Sequence, residues 1–183
     1  MKNSIRLSLA ILMLQTISLQ ALANDSSEVA KLTVSSKAFT EGSTIPKEFT
    51  ADGSDISPGI SWSEAPKGTK SLAITCEDPD APAGTWFHWI VYDIPPATTR
   101  MKQNVVKRPD LPDGIKQGIN DFGKPGYNGP SPPKGPVHHY HFKVFALDSK
   151  LSLKSGADKR AFYSAIKGKI LAQGMSTGIY QRK

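Results

Sequence analysis

Asp78 and Asp80 stand two residues apart in the run Asp78-Pro79-Asp80-Ala81-Pro82, whose prolines fix the backbone of a turn. Carboxylates held in so stiff a turn can orient imidazoles, favour their protonated forms, or accept hydrogen bonds from a ligand hydroxyl or ammonium. His88 follows in a β-prone segment. In a later one, His138 and Tyr140 fall on the same face, because strand side chains alternate at period two. Imidazole and phenol groups donate hydrogen bonds to anionic oxygens, and the N–H groups of a nearby loop can add a nest. No serine, cysteine or lysine here is paired with an oriented base, so binding without catalysis is the expected chemistry and no enzyme is expected.

The elements that must position these groups are short. β-prone runs at residues 31–35, 59–62, 71–77, 86–94, 137–147 and 178–181 are each bounded by Gly, Pro, Asp or Ser, the pattern of an antiparallel sandwich. Alternation puts Trp86, His88, Ile90 and Tyr92 on one face of their strand. It puts His138, Tyr140, Phe142 and Val144 on one face of theirs, with His139, His141 and Lys143 opposite. One segment has helical spacing: Phe162, Ile166 and Ile170 recur every four residues, Ser155 and Asp158 offer a capping box, and Gly174 offers a stop. Residues 96–135 are rich in Gly and Pro and poor in apolar runs. So long an irregular stretch in a compact domain points to function, above all where Gly126-Tyr127-Asn128-Gly129-Pro130-Ser131-Pro132-Pro133 runs into the strand of His138.

Lys2 and Arg6 precede an apolar run over residues 7–19 that is too short to span a bilayer, and Ala21-Leu22-Ala23 offers the small residues a signal peptidase accepts. Residues 1–23 therefore read as a signal peptide cleaved after Ala23, residues 24–183 as a single domain, and the destination as the periplasm. Cys76 is the only cysteine, so no internal disulfide can form, and its place in the alternating run Leu72, Ile74, Cys76 suits an inert core thiol. The formal charge of +7 is spread without a basic block, which argues against nucleic acid and supports at most a preference for acidic partners or an anionic lipid surface.

Three local motifs invite other readings. Gly174-Met175-Ser176-Thr177-Gly178 matches G-x-S-x-G, but that motif needs a strand before its serine and a helix after it, and no histidine follows Ser176. Asp121-Phe122-Gly123 copies a kinase triplet without the glycine-rich or catalytic loops and reads as a loop tripeptide. His139 and His141 share a face but lack a further ligand, so neither a metal site nor a cofactor is expected.

The run from Asp78 to Pro82 with His88 resembles the first motif of the phosphatidylethanolamine-binding, or Raf kinase inhibitor-like, family, and residues 129–140 resemble the second. The likeness runs from Phe39 through Gly42, Pro46, Asp52-Gly53, Ser57-Pro58 and Trp62 to the C-terminal strand, and is nearest to the bacterial YbhB/YbcL branch. It implies a mainly β, antiparallel two-sheet sandwich with peripheral helices, one of them near the C-terminus. It also implies a pocket for phosphate, acetate or a phosphorylated head group. Carried over by position, the ligand-binding residues are Asp78, Asp80, Pro82, His88, Gly129, Pro130, Ser131, Pro132, His138 and Tyr140. The branch further suggests a homodimer, and the family allows a second role, inhibition of a protein partner through the surface. His139 stands where Arg is usual, Ser131 where the branch often has Cys, and Gly59 where a second Pro is common.

The leader reading is checked by intact mass. Protein made in a bacterial host should begin at Asn24 in the periplasmic fraction; a cytosolic chain beginning at Met1 would refute it.

Overall fold

The computed structural model describes residues 29–183, so the expected signal peptide and cleavage site lie outside the described residues. Among the described residues nine strands form two sheets: β1 (Ala30–Lys31), β2 (Val34–Ser36), β3 (Ile60–Trp62), β4 (Ser71–Asp78), β5 (Trp86–Ile94), β6 (Arg100–Met101), β7 (Lys116–Gln117), β8 (His138–Leu147) and β9 (Ile170–Tyr180). The larger sheet has the order β1-β9-β8-β4-β5-β7 and the smaller one β2-β3-β6. Pairing is antiparallel except at one edge, where the two-residue β1 runs parallel to β9. The expected mainly β two-sheet sandwich is therefore present, with one parallel edge. Its helical part, among the described residues, is one α-helix, α1 (Lys159–Ile166), and two 3-10 turns at Lys47–Phe49 and Pro112–Gly114.

The central strand β4 is buried along its whole length because both its faces are covered. Leu72, Ile74 and Cys76 point into the core between the sheets, where they meet Phe142, Val144 and Ala146 of β8 and Ile60 and Trp62 of β3. On the opposite face Ala73 joins Phe145 and Leu147 under Phe162 and Ile166 of α1. Burying each such Leu, Ile or Phe side chain is worth about 1.5–3 kcal/mol.

Two expectations are corrected here. In β5 strict alternation fails, because Cys76 pairs with Trp89 while its neighbour Glu77 pairs with Phe87, leaving His88 as an extra residue. This β-bulge shifts the face of the residues that follow it, until a second irregularity opposite Leu72–Ile74 returns Ile94 to the core between the sheets. Trp89 and Val91 enter the core between the sheets, while Ile90 and Tyr92, expected beside His88, pack under α1 instead.

The helix is also shorter than its spacing suggests. Asp158 caps it by accepting from the Ala161 amide at 2.8 Å, whereas Ser155 turns away to hydrogen-bond Asp110. It ends at Ile166, the chain reverses through Gly168 at φ 74°, and Ile170 opens β9. Gly174 is no helix stop. It lies within β9 where a Cβ would come 2.0 Å from the Leu32 carbonyl oxygen, so glycine is required for close strand approach. Ser176, in the same strand, donates to Glu41 at 3.0 Å.

Cys76 has no exposed surface, and burial, then the nearby Glu77 and Asp78 carboxylates, push its thiol well above the ordinary range. A thiol reagent such as dithionitrobenzoate should leave the native protein unmodified and label one thiol per chain after denaturation. Rapid labelling of the native state, or an obligatory disulfide-linked dimer, would contradict this.

Candidate anion-binding site

Beyond Cys76 the alternation of β4 brings Asp78 to the same face at the strand's end, with 3% of its surface exposed. A carboxylate so buried needs hydrogen bonds. One oxygen accepts from the Asp80 amide at 2.9 Å, closing the turn, and the other accepts from Nδ1 of His138 on β8 at 2.8 Å. The bond to Nδ1 leaves Nε2 as the free nitrogen of the His138 ring.

His88 is fixed in a similar way from another side. Its Nδ1 donates to the Asn128 carbonyl at 2.7 Å, while the Asn128 amide donates back to the His88 carbonyl at 3.0 Å. Its ring stands edge-on to Tyr140 and to Phe122, with centroids 5.2 and 5.3 Å away. Burial is the main influence on this imidazole and outweighs the Asn128 bond and the charge of Asp78, so its pKa lies below the usual 6.5.

Asp78, His88 and His138 line a cavity of about 250 Å³ whose other walls are Ala81, Pro82, Ala83, Trp86, Phe122, Ser131, Pro132 and Pro133. Of the residues expected from sequence, Asp78, Pro82, His88, Ser131, Pro132 and His138 thus converge. Tyr140 lies just beneath, ring against His88, and burial followed by the Asp78 charge keeps its phenol protonated far above the ordinary range. Its hydroxyl and the indole Nε1 of Trp86 are both buried with no hydrogen-bond partner among the described residues. Such orphans cost about 1–3 kcal/mol each and mark a place where the fold has left donors unmatched.

Asp80, Gly129 and Pro130 are not among the lining residues. Asp80 turns outward, accepting from both the amide and Nδ1 of His139 at 2.8 and 2.7 Å. Burial raises its pKa, but the His139 bonds prevail and leave it below the ordinary value. Arginine's absence at position 139 therefore does not leave Asp80 unpaired. Gly129 and Pro130 act from behind the wall: the Gly129 amide donates to Asp55 at 2.6 Å and the Pro130 carbonyl accepts from the Ala51 amide at 3.0 Å.

Sequence reading missed Trp86 and Phe122 as wall residues, although the two rings pack edge to face at 5.5 Å. Phe122 belongs to the triplet dismissed as a loop tripeptide, and a lone aromatic in an irregular segment carries no periodicity to betray it. Asp121 beside it accepts from the Phe87 amide at 2.8 Å and from Lys159 at 2.6 Å, tying this loop to β5 and α1.

Comparison with known proteins gives this sandwich, with its cavity at the strand ends, a family. The model of the phosphatidylethanolamine-binding protein family matches residues 35–181. A UPF0098 protein of Aquifex aeolicus is 50% identical over 155 residues, covering 84% of this chain and 90% of that protein. The crystal structure of Escherichia coli YbcL, described as a member of the mammalian PEBP family, superposes with a TM-score of 0.78 at 36% identity, covering 84% of this chain and all of that one. The PEBP homolog CT736 of Chlamydia trachomatis gives 0.75 at 35% identity, covering 84% of this chain and 99% of that one. The chain belongs to the phosphatidylethanolamine-binding protein family. Its relatives place it in the UPF0098 branch with the YbhB and YbcL proteins of E. coli.

The wall behind His88 has little slack. A Cβ on Gly129 would fall 2.4 Å from the Phe49 carbonyl oxygen and 2.7 Å from Thr50 Cα. Gly129→Ala should therefore push the loop outward at a cost of about 1–3 kcal/mol, the scale of overpacking. As burial of His88 is relieved, its titration, followed by NMR, should move up toward 6.5. An unchanged melting temperature with an unchanged His88 titration would show that the loop does not hold this ring.

Proposed function

We propose that this chain is a non-catalytic binding protein, exported to the periplasm, whose cavity takes a small anion: phosphate, a phosphomonoester or a phospholipid head group. The observation that carries the reading is the pair of imidazoles on one cavity, each tethered at Nδ1, by the Asn128 carbonyl and the Asp78 carboxylate, so that each keeps Nε2 for a ligand. Tethering fixes ring direction before binding, which lowers the ordering cost of the complex. When protonated, Nε2 donates to an anionic oxygen; Tyr140 remains a neutral donor close by. Nothing in the reading needs a cofactor, a metal or nucleic acid, and the mostly apolar walls suit an anion attached to a carbon skeleton. The branch resemblance adds a homodimer to the proposal.

Calorimetric titration tests it. His88→Ala and His138→Ala should each weaken binding of phosphate or glycerophosphoethanolamine by about 1–3 kcal/mol, while His141→Ala, on the outer face of β8, should change little. Melting curves of each variant separate lost binding from lost folding. Equal losses in all three variants would remove the site.

The pH dependence has a definite sign. A bound anion favours protonated His88, raising its pKa from the depressed value of the free protein. Affinity for sulfate, which does not itself titrate there, should therefore rise as pH falls from 8 to 5, levelling off below the free-state pKa of His88. A flat profile would show that the imidazoles do not gain protons with the anion.

A further inference from the structure

Across the Pro132-Pro133 wall from the cavity lies a second, broader groove of about 680 Å³. Its cations come from three separate segments: Lys47 from a 3-10 turn, Lys134 from the end of the proline-rich loop, and Arg182 and Lys183 after β9. Its carboxylate, Asp52, is already engaged. Arg182 reaches both Asp52 oxygens at 2.6–3.0 Å and Tyr180 donates to one at 3.0 Å; the Arg182 bonds outweigh burial and lower the Asp52 pKa. Lys47, Lys134 and Lys183 make no ion pair among the described residues.

The cavity itself has the opposite character. No lysine or arginine lines it, and Asp78 does. Like charges repel, so within the cavity the positive charge open to one anionic group beside Asp78 is that of the His88 and His138 imidazoles, and a second anionic group would find no cation there. The permanent cations that share a wall with the cavity are those of the groove, and Arg182 is bonded to that wall through the Pro132 carbonyl at 3.2 Å.

We propose that the groove is a second anion subsite, and that the ligand is a small molecule with two anionic groups, one in the cavity and the other over the Pro132-Pro133 ridge among Lys47, Lys134 and Lys183. This deepens the anion reading of the cavity and rests on it. A small bis-anion fits better than an acidic macromolecule because Lys47, Lys134 and Lys183 converge on one groove adjoining the cavity, while the remaining lysines are scattered along the chain without a basic block.

Calorimetry at pH 7 with propyl phosphate and propane-1,3-diol bisphosphate separates the two claims. The bisphosphate should bind at least about tenfold more tightly than the monophosphate, since the second group binds intramolecularly. The double variant Lys47→Met/Lys134→Met, altered only at exposed positions, should lose that margin and keep its propyl phosphate affinity; His88→Ala should weaken both ligands. Equal affinities of the wild type for the two ligands, or a margin that survives in the double variant, would overturn the groove and leave the cavity standing. Absence of any propyl phosphate binding would overturn both. Tight binding of a polyglutamate peptide without preference for the bisphosphate would assign the groove to a macromolecular partner instead.

Discussion

Asp78 carries an acidic side chain with 3% of its surface exposed at the end of the most deeply buried strand, and no lysine or arginine bonds to it. Solvating that carboxylate from within dictates the local structure. One oxygen must be met by the chain's own turn, which sets the Asp-Pro-Asp corner, and the other by a side chain from β8, which selects His138. An apolar residue at position 78 would remove the demand, and with it the reason for an imidazole at this end of β8.

The bulge in β5 meets the same demand from another direction. Inserting one residue opposite the Cys76-Glu77 step lets His88 occupy the site face while Trp89, next in the chain, still reaches the core between the sheets. Strict alternation would place them on opposite faces. The ring is then held by an irregular loop, and a loop gains the rigidity of a strand only when anchored from behind. Asp55 does so by taking the Gly129 amide and the Asn128 side chain, and the Asp52-Arg182 pair by taking the Pro132 carbonyl. Tyr127 adds a hydroxyl bond to the Phe49 carbonyl at 2.8 Å. Charged residues far from the cavity in sequence thus fix its walls.

What was legible in the sequence follows from which features are periodic. The regular strands β4 and β8 gave up their inward faces, and the His138-Tyr140 pair with them, because alternation there is unbroken. The turn at residues 78–82 was legible through its prolines. The bulge was not, since an inserted residue has no composition signature and is visible only once the partner strand is known. The helix end failed for a related reason: Ile170 continues a spacing of four by coincidence, while Gly168 reverses the chain and pairing with β8 claims Ile170 for β9. Asp80 was assigned to the cavity because two aspartates two apart look equivalent in one dimension. In the turn they diverge, one bonding β8 from inside and the other bonding His139 outside. Phe122, Asp55 and Arg182 belong to irregular segments, where role depends wholly on long-range contact.

The protonation of His88 ties the stability of the fold to pH. Since burial lowers the pKa of His88, the unfolded chain takes up its proton first as pH falls, and between about 6.5 and the folded value the fold loses stability from this residue. The sign follows from the usual linkage: a group whose native form binds fewer protons contributes more at higher pH. The proposed anion would reverse this by favouring the charged ring, so that binding at low pH would both repair the deficit and draw in a proton. Under the proposed function, a neutral imidazole beside a buried carboxylate would become complementary to an anion only as the anion arrives, so that proton uptake and binding would be one event.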